Sequence, residues 1–204
     1  MESDRGYQNL KQLIEGLGNI FYDEGSYNLN LIFVRTSNIF TNMFSDILYV
    51  AYKVDEVENV LMLNATTKAS LYGKGGVTNP LPGGTAVIIP NQYKSTWQYN
   101  KGDGSGKLPW GVPYLKQVKG IDYYRDANKD NVIDETNIQK NEIFYTNIHA
   151  MREPLSVNIP NSLPWTEGCM GADADNFANI LDPILQKSIE IWGDLFTGTI
   201  IKAY

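Results

Sequence analysis

Three stretches near the start of the chain limit its fold more than any other feature. YNLNLIFVRT (27–36), SDILYVAYKV (45–54) and VENVLMLNAT (57–66) are apolar, and only a few polar residues separate them. The first alternates polar and apolar and then turns wholly apolar, as a strand does on entering a core. The second and third lie close enough for a hairpin. A chain that starts this way reads as a β domain.

The rest of the chain continues the pattern. TAVIIP (85–90) reads as a strand ended by Pro90, and KSTWQYN (94–100) as another. YLKQVKGIDYYRD (114–126) suits one strand or a bent pair. NEIFYTNIHAM (141–151) reads as a strand leading into His149, and FTGTIIKAY (196–204) as a closing strand. Between them, GKGGVTNPLPGG (73–84) carries turn residues, and KGDGSGKLPWG (101–111) reads as a flexible loop. Two segments have helical spacing instead. Leu10, Ile14 and Leu17 mark a short helix over 7–17. From Ala174 the apolar positions are Phe177, Ile180, Leu181, Ile184, Leu185, Ile189 and Trp192. Pro183 interrupts that second helix. Asp182 as N-cap and Pro183 at the first helical position predict a kink or a break, and Gly193 suits the C-terminal cap.

No repeat or long linker divides the chain. The expectation is a single domain over 1–204, with an N-terminal helical extension (1–26) and a core (27–204). The core is mainly β, a sandwich or partly closed barrel. A short N-terminal helix precedes it, and a kinked helix follows the Gly168–Cys169 step.

Composition excludes several function classes. Seventeen Lys and Arg against 23 Asp and Glu give a net charge of −6. An acidic chain without a basic run lacks the cations that neutralise nucleic-acid phosphates or anionic lipids. No apolar run is long enough for a membrane span. The start, MESDRGYQNLKQLIEG, has no apolar signal-peptide region, so the expected place of synthesis is the cytoplasm.

The chemistry concentrates in NIHAMREPLSVNIPNSLPWTEGCMG (147–171), which holds the only histidine, His149, and the only cysteine, Cys169. A cysteine nucleophile works as a thiolate and needs a base or a positive environment. His149, at a strand end, is an available base. Cys169, between a glycine and an expected helix start, would gain from backbone N–H groups and the helix dipole. Gly168 would let amides close around an oxyanion. The alternative is a small buried thiol beside a hydrogen-bonded core histidine.

A second candidate is the acidic loop DANKDNVIDETN (126–137). Asp126, Asn128, Asp130 and Asp134 take positions 1, 3, 5 and 9 of an EF-hand-like loop, with the Val132 carbonyl at position 7. Asn131 stands at the usual glycine, and Asn137 at the usual bidentate Glu, with Glu135 as a substitute. Such a loop would hold a structural Ca2+ or be a solvated run of Asx turns. Chemistry at Cys169 requires no cofactor. Among thirteen Tyr and four Trp, Trp97, Trp110 and Trp165 lie in or beside loops, and Trp165 is best placed to line a groove by Cys169.

The segment IHAM…WTEGCM resembles the signature of the L,D-transpeptidase (YkuD-like) family: a His, a spacer, then Ser/Thr-His-Gly-Cys. Here sixteen residues separate His149 from Thr166, Glu167, Gly168 and Cys169, so Glu167 replaces the family's second histidine. A branch from phages and mobile elements of gut Bacteroidetes is more similar. Its PxGTAxxxPGQY, YRDxNxDxxxD, NIHR and WSxGCQ correspond to PGGTAVIIPNQY (82–93), YRDANKDNVID (124–134), NIHAM (147–151) and WTEGCM (165–170). Asn91, Ala150, Thr166 and Met170 depart from it.

This resemblance implies a peptidoglycan-acting cysteine enzyme. Cys169 would attack a stem-peptide amide and His149 would act as base. Gly168, Thr166, Trp165 and Tyr93 would serve the oxyanion or substrate. Hydrolysis or transpeptidation would follow from the second acceptor. The implied partners are peptidoglycan stem peptides and other virion proteins, at the virion or the cell wall. The alternative is a non-catalytic virion structural or cell-wall-binding protein that retains the fold. A third reading is a protease toward another amide.

Overall fold

The computed structural model describes residues 3–41, 43–68, 84–108, 110–128, 130, 132–152 and 168–203. Helix α1 (Ser3–Gly16) comes first, and β1 (Asn30–Arg35), β2 (Asp46–Val54) and β3 (Val57–Thr66) follow. Next are β4 (Ala86–Ile88), β5 (Asn91–Asn100), β6 (Tyr114–Gln117) and β7 (Ile121–Arg125). Strands β8 (Ile138–Glu142), β9 (Ile148–Met151) and β10 (Met170–Asp173) lead to helix α2 (Ala174–Asn176). A π-helical turn (Phe177–Leu181), α3 (Asp182–Trp192) and β11 (Leu195–Lys202) complete the order.

Eight strands close into a barrel in the order β1-β11-β5-β6-β9-β10-β3-β2, and β4-β7-β8 form a separate small sheet. The chain is thus mainly β, and its barrel closes fully. Closure removes free edges from the barrel. The expected hairpin is β2–β3, joined through Asp55 and Glu56 with φ of 48° and 64°. Two positive φ values in a two-residue loop match the twist of an antiparallel pair. Alternate residues of each strand fill the interior: Leu31 and Phe33, Leu48 and Val50, Leu63 and Ala65, Ile148 and Ala150, Met170 and Ala172. Phe177, Leu181 and Leu185 from the C-terminal helical segment join the same core.

On α1, Tyr7, Leu10 and Ile14 pack on Phe21, Ile32, Ala51 and Ile201. Leu17 is exposed, because the helix ends at Gly16 and Gly18 turns the chain with φ of 77°.

The 114–126 segment is a split pair, with β6 in the barrel and β7 in the small sheet. The expected single strand over 141–151 also divides, its start belonging to β8 and its end to β9. The helix after Ala174 does not break at Pro183. Asp182 is helical and its N–H reaches the Phe177 carbonyl, a π-type turn that carries the chain past the proline. Asp182 is therefore no N-cap; its carboxylate accepts from Tyr99 Oη at 2.8 Å and Gln186 Nε2 at 2.7 Å. Gly193 caps the C-terminus as expected, its N–H donating to the Ile189 carbonyl.

Candidate functional site

Strands β9 and β10 run parallel, with Gly171 opposite His149 and Met170 opposite Ile148. Ile148, Ala150, Met170 and Ala172 point into the barrel. Alternation therefore puts His149, Met151, Cys169 and Gly171 on the outer face. Cys169 is two positions from His149 along that face. Strand rise and spacing place their Cα atoms about 8 Å apart, and the Met151 side chain lies over Gly171 and packs on Cys169.

His149 is 2% exposed. Its Nδ1 lies 2.8 Å from the Ala150 carbonyl. A carbonyl only accepts, so Nδ1 carries the proton and Nε2 carries the lone pair. Nε2 is buried and has no hydrogen-bond partner. Burial lowers the His149 pKa to about 4, against the opposing pull of the Ala150 carbonyl. The ring is neutral at pH 7, and its basic nitrogen is unoccupied.

Cys169 is buried beside Met151, with Phe44 packed against the pair. Its thiol donates to the Tyr145 carbonyl at 3.6 Å. Gly168 before it has φ of 149°, and a Cβ there would meet Phe144 at 2.8 Å and Ala86 at 2.9 Å. Only glycine fits this approach. Thr146 Oγ1 donates to the Gly168 carbonyl at 2.5 Å. Cys169 does not sit at a helix N-terminus as expected. Strand β10 intervenes, and the helix begins after Asp173, whose Oδ1 caps the N–H groups of Asp175 and Asn176 at 3.1 Å each. Helix-dipole activation of the thiol therefore drops out.

Residues 143–147, between β8 and β9, are held by Gln117. Its Oε1 accepts from the N–H groups of Thr146 at 2.9 Å and Phe144 at 3.3 Å. Its Nε2 donates to the Lys119 and Glu142 carbonyls at 2.8 and 2.9 Å. Nothing in the local pattern marks Gln117, because apart from Lys119 these partners lie 25–29 residues on.

Trp110 is the aromatic at the site. Its ring lies 5.4 Å from that of His149 and 4.8 Å from that of Tyr114, which is paired with His149 across β6–β9. The 101–111 segment that carries it is hydrogen-bonded across itself: Asp103 N–H to the Trp110 carbonyl, Gly106 N–H to Gly111, and Gly111 N–H to Lys107. Trp97 is core, its Nε1 donating to the Thr146 carbonyl at 2.8 Å. Tyr93 is also core, its hydroxyl donating to the Ile89 and Asp122 carbonyls at 2.8 and 3.1 Å. It belongs to the interior cluster and not to the His149 face. Trp165, Thr166 and Glu167 lie outside the described residues.

Beside this face is a polar group that sequence reading missed. Arg35, Asp46 and Lys68 are wholly buried. Lys68 Nζ donates to Asp46 Oδ1 and, at 2.8 Å, to Ser45 Oγ. Asp46 Oδ2 accepts from the Thr67 N–H and hydroxyl at 2.8 Å each, and Arg35 Nε donates to the same hydroxyl at 2.9 Å. Burial lowers the Lys68 pKa, opposed by Asp46. Ser45 follows Phe44, so this ion pair adjoins the packing around Cys169.

In the acidic loop, Asp126 is buried and its N–H donates to the Thr85 carbonyl at 3.0 Å. Asn128 Oδ1 accepts from Asp130 N–H at 3.3 Å, Asp130 Oδ1 from Val132 N–H at 2.8 Å, and Asp134 Oδ1 from Thr136 N–H at 2.8 Å. These are successive Asx turns. Ile133 anchors the loop among Phe40, Val87 and Tyr124. Among the described residues, no three His, Cys, Asp or Glu form a group placed to hold a metal. Asn131 lies outside them.

No described helix is long and apolar enough to cross a membrane. In comparison with known proteins, the chain matches no family model, no curated protein and no solved structure.

Proposed function

We propose that the protein is a cysteine acyl-transfer enzyme acting on peptidoglycan stem-peptide amides. The observation that carries the chemistry is His149. Its Nδ1 is committed to the Ala150 carbonyl, and its Nε2 is buried, unpartnered and on the sheet face that bears Cys169. The substrate class rests on the resemblance of 147–171 to L,D-transpeptidases, as does a phage-borne setting at the virion or cell wall.

In this reading Nε2 takes the Cys169 proton, and sulfur adds to the amide carbonyl carbon. The tetrahedral adduct then collapses. Its C–N bond breaks, the leaving amine takes the proton from His149, and a thioester remains on Cys169. Water or a second amine adds to the thioester carbonyl, and the C–S bond breaks. The sulfur recovers its proton through His149. Water gives cleavage and an amine gives a cross-link; cleavage suits a phage product. The chemistry needs no cofactor. A structural Ca2+ in the 126–137 loop is a separate proposal that rests on its acidic spacing alone, since the Asx turns fit the solvated alternative; calorimetry with CaCl2 alone tests it.

The test is alkylation of Cys169 by iodoacetamide across pH, in the native protein and in His149→Ala, followed by incubation with muropeptides and intact-mass analysis. The expected result is a thiol reactive near neutral pH, dependent on His149, and an acyl adduct on Cys169. A thiol that reacts only after denaturation rejects the proposal.

A second reading, a scaffold without catalysis at a virion or cell wall, is favoured by one observation. The thiol packs on Met151 and Phe44 and donates to a carbonyl, as an inert cysteine does.

A further inference from the structure

Trp110 is 42% exposed, yet one edge of its environment is the ring of a histidine that is almost fully covered. The three rings of Trp110, His149 and Tyr114 meet edge to face, at 63° and 64°. Such pairs favour one relative orientation. The loop beneath Trp110 leaves it little freedom. Gly102 has φ of 74°, and a Cβ there would lie 2.7 Å from the Trp110 carbonyl and 2.5 Å from that of Val112. A Cβ on Gly111 would lie 2.5 Å from the Lys107 nitrogen. Only a backbone without side chains at these two positions brings the loop ends so close, and the closed loop presents the indole at one place.

We propose that Trp110 is the positioning residue of the site: packed edge-on against His149 and Tyr114, it holds the imidazole on the Ala150 carbonyl and keeps water from Nε2. The proposal deepens the acyl-transfer reading, in which His149 is the base. The titratable groups that alternation puts on the same face are Tyr114 and Lys116 from β6, Cys169 ahead of β10 and Asp173 at its end. No charged group among the described residues contributes to the His149 shift, which comes from burial opposed by the Ala150 carbonyl. Taking the indole away therefore changes one thing at His149, its contact with water.

The chain has one histidine, so the His149 Cε1 proton gives a single NMR signal to titrate. In the native protein its midpoint is expected near about 4, with a nuclear Overhauser contact between that proton and the Trp110 indole. In Trp110→Ala the midpoint should rise by roughly two units, toward the ordinary ~6.5. Trp110→Phe, which keeps an aromatic edge, should stay within about half a unit of the native value. An unchanged midpoint in Trp110→Ala overturns the proposal. So does a missing indole contact in the native protein, which requires no variant to fold. Iodoacetamide alkylation of Cys169 is read on the same samples. A Trp110 shift with no effect of His149→Ala on alkylation rejects the acyl-transfer reading and leaves the positioning role intact.

Discussion

Gly171 faces His149 directly across the β9–β10 ladder, and a Cβ on it would lie 2.3 Å from the His149 carbonyl and 2.9 Å from the Met151 side chain. The two strands approach so closely here that no side chain fits. Gly171→Ala is expected to destabilise the fold by about 1–3 kcal/mol, as overpacking of a closed site does. Urea unfolding measures it; a midpoint equal to the native one would remove the close approach from the account of the site.

His149 makes stability depend on pH in a stated window. Its folded pKa is lowered to about 4, so between the ordinary value and about 4 the unfolded chain binds a proton that the folded chain refuses. Stability is complete above ~6.5 and falls as pH drops through the window, by roughly 3 kcal/mol in all. Denaturation at steps from pH 7 to 4 should show this slope in the native protein. In His149→Gln the part owed to this residue is gone, leaving a shallower curve.

The Asp46–Lys68 pair has no exposed side-chain surface. Lys68→Met leaves a buried carboxylate short of its cation, at a cost of about 3–5 kcal/mol. Asp46→Asn should cost at least as much, since the carboxylate also accepts from the Thr36 N–H at 3.0 Å and from Thr67. The double variant should cost less than the sum. Additive losses in a double-mutant cycle would dissolve the pair as an energetic unit.

Tyr145 offers the opposite sign. It has φ of 64° and is 67% exposed, while its carbonyl accepts the Cys169 thiol. A left-handed backbone strains a residue with a Cβ but not glycine. Tyr145→Gly should therefore raise stability by about 0.5–1 kcal/mol, and thermal melting would register it. A loss instead would assign the exposed ring a packing role.

Hydrophobic alternation carried most of the fold. It located β1, β2, β3 and β11, and the few polar residues between β2 and β3 gave the hairpin. It failed where the chain changes sheets. The 114–126 segment read as one strand or a bent pair and 141–151 as continuous; the first crosses from the barrel to the small sheet and the second crosses back, each at a point that only tertiary pairing defines. Gly120 marks one crossing, since a Cβ there would lie 2.6 Å from the Asn141 carbonyl. At Pro183 local chemistry predicted a kink or a break with a new helix start; α3 does begin at Asp182 with Pro183 in its first turn, but a π-turn joins it to the segment that packs Phe177 and Leu181 into the barrel. His149 and Cys169 were legible because each is unique in the chain. Trp110 was legible only as a loop aromatic, and Gln117, Gly171 and Lys68 were not legible, because each acts through a partner distant in sequence.

The closing strand has a consequence for the timing of folding. Strand β11 lies between β1, to which it is parallel, and β5. Leu31 pairs with Gly198 across 167 residues. While the ribosome is still short of residue 195, the nascent chain has β1 and β5 with their inner seams unmade, and both expose edges that any other strand could join. The barrel is thus an open sheet until the residues of β11 have been made. Its last eight-residue strand converts it in one step from a sticky intermediate to a sealed molecule.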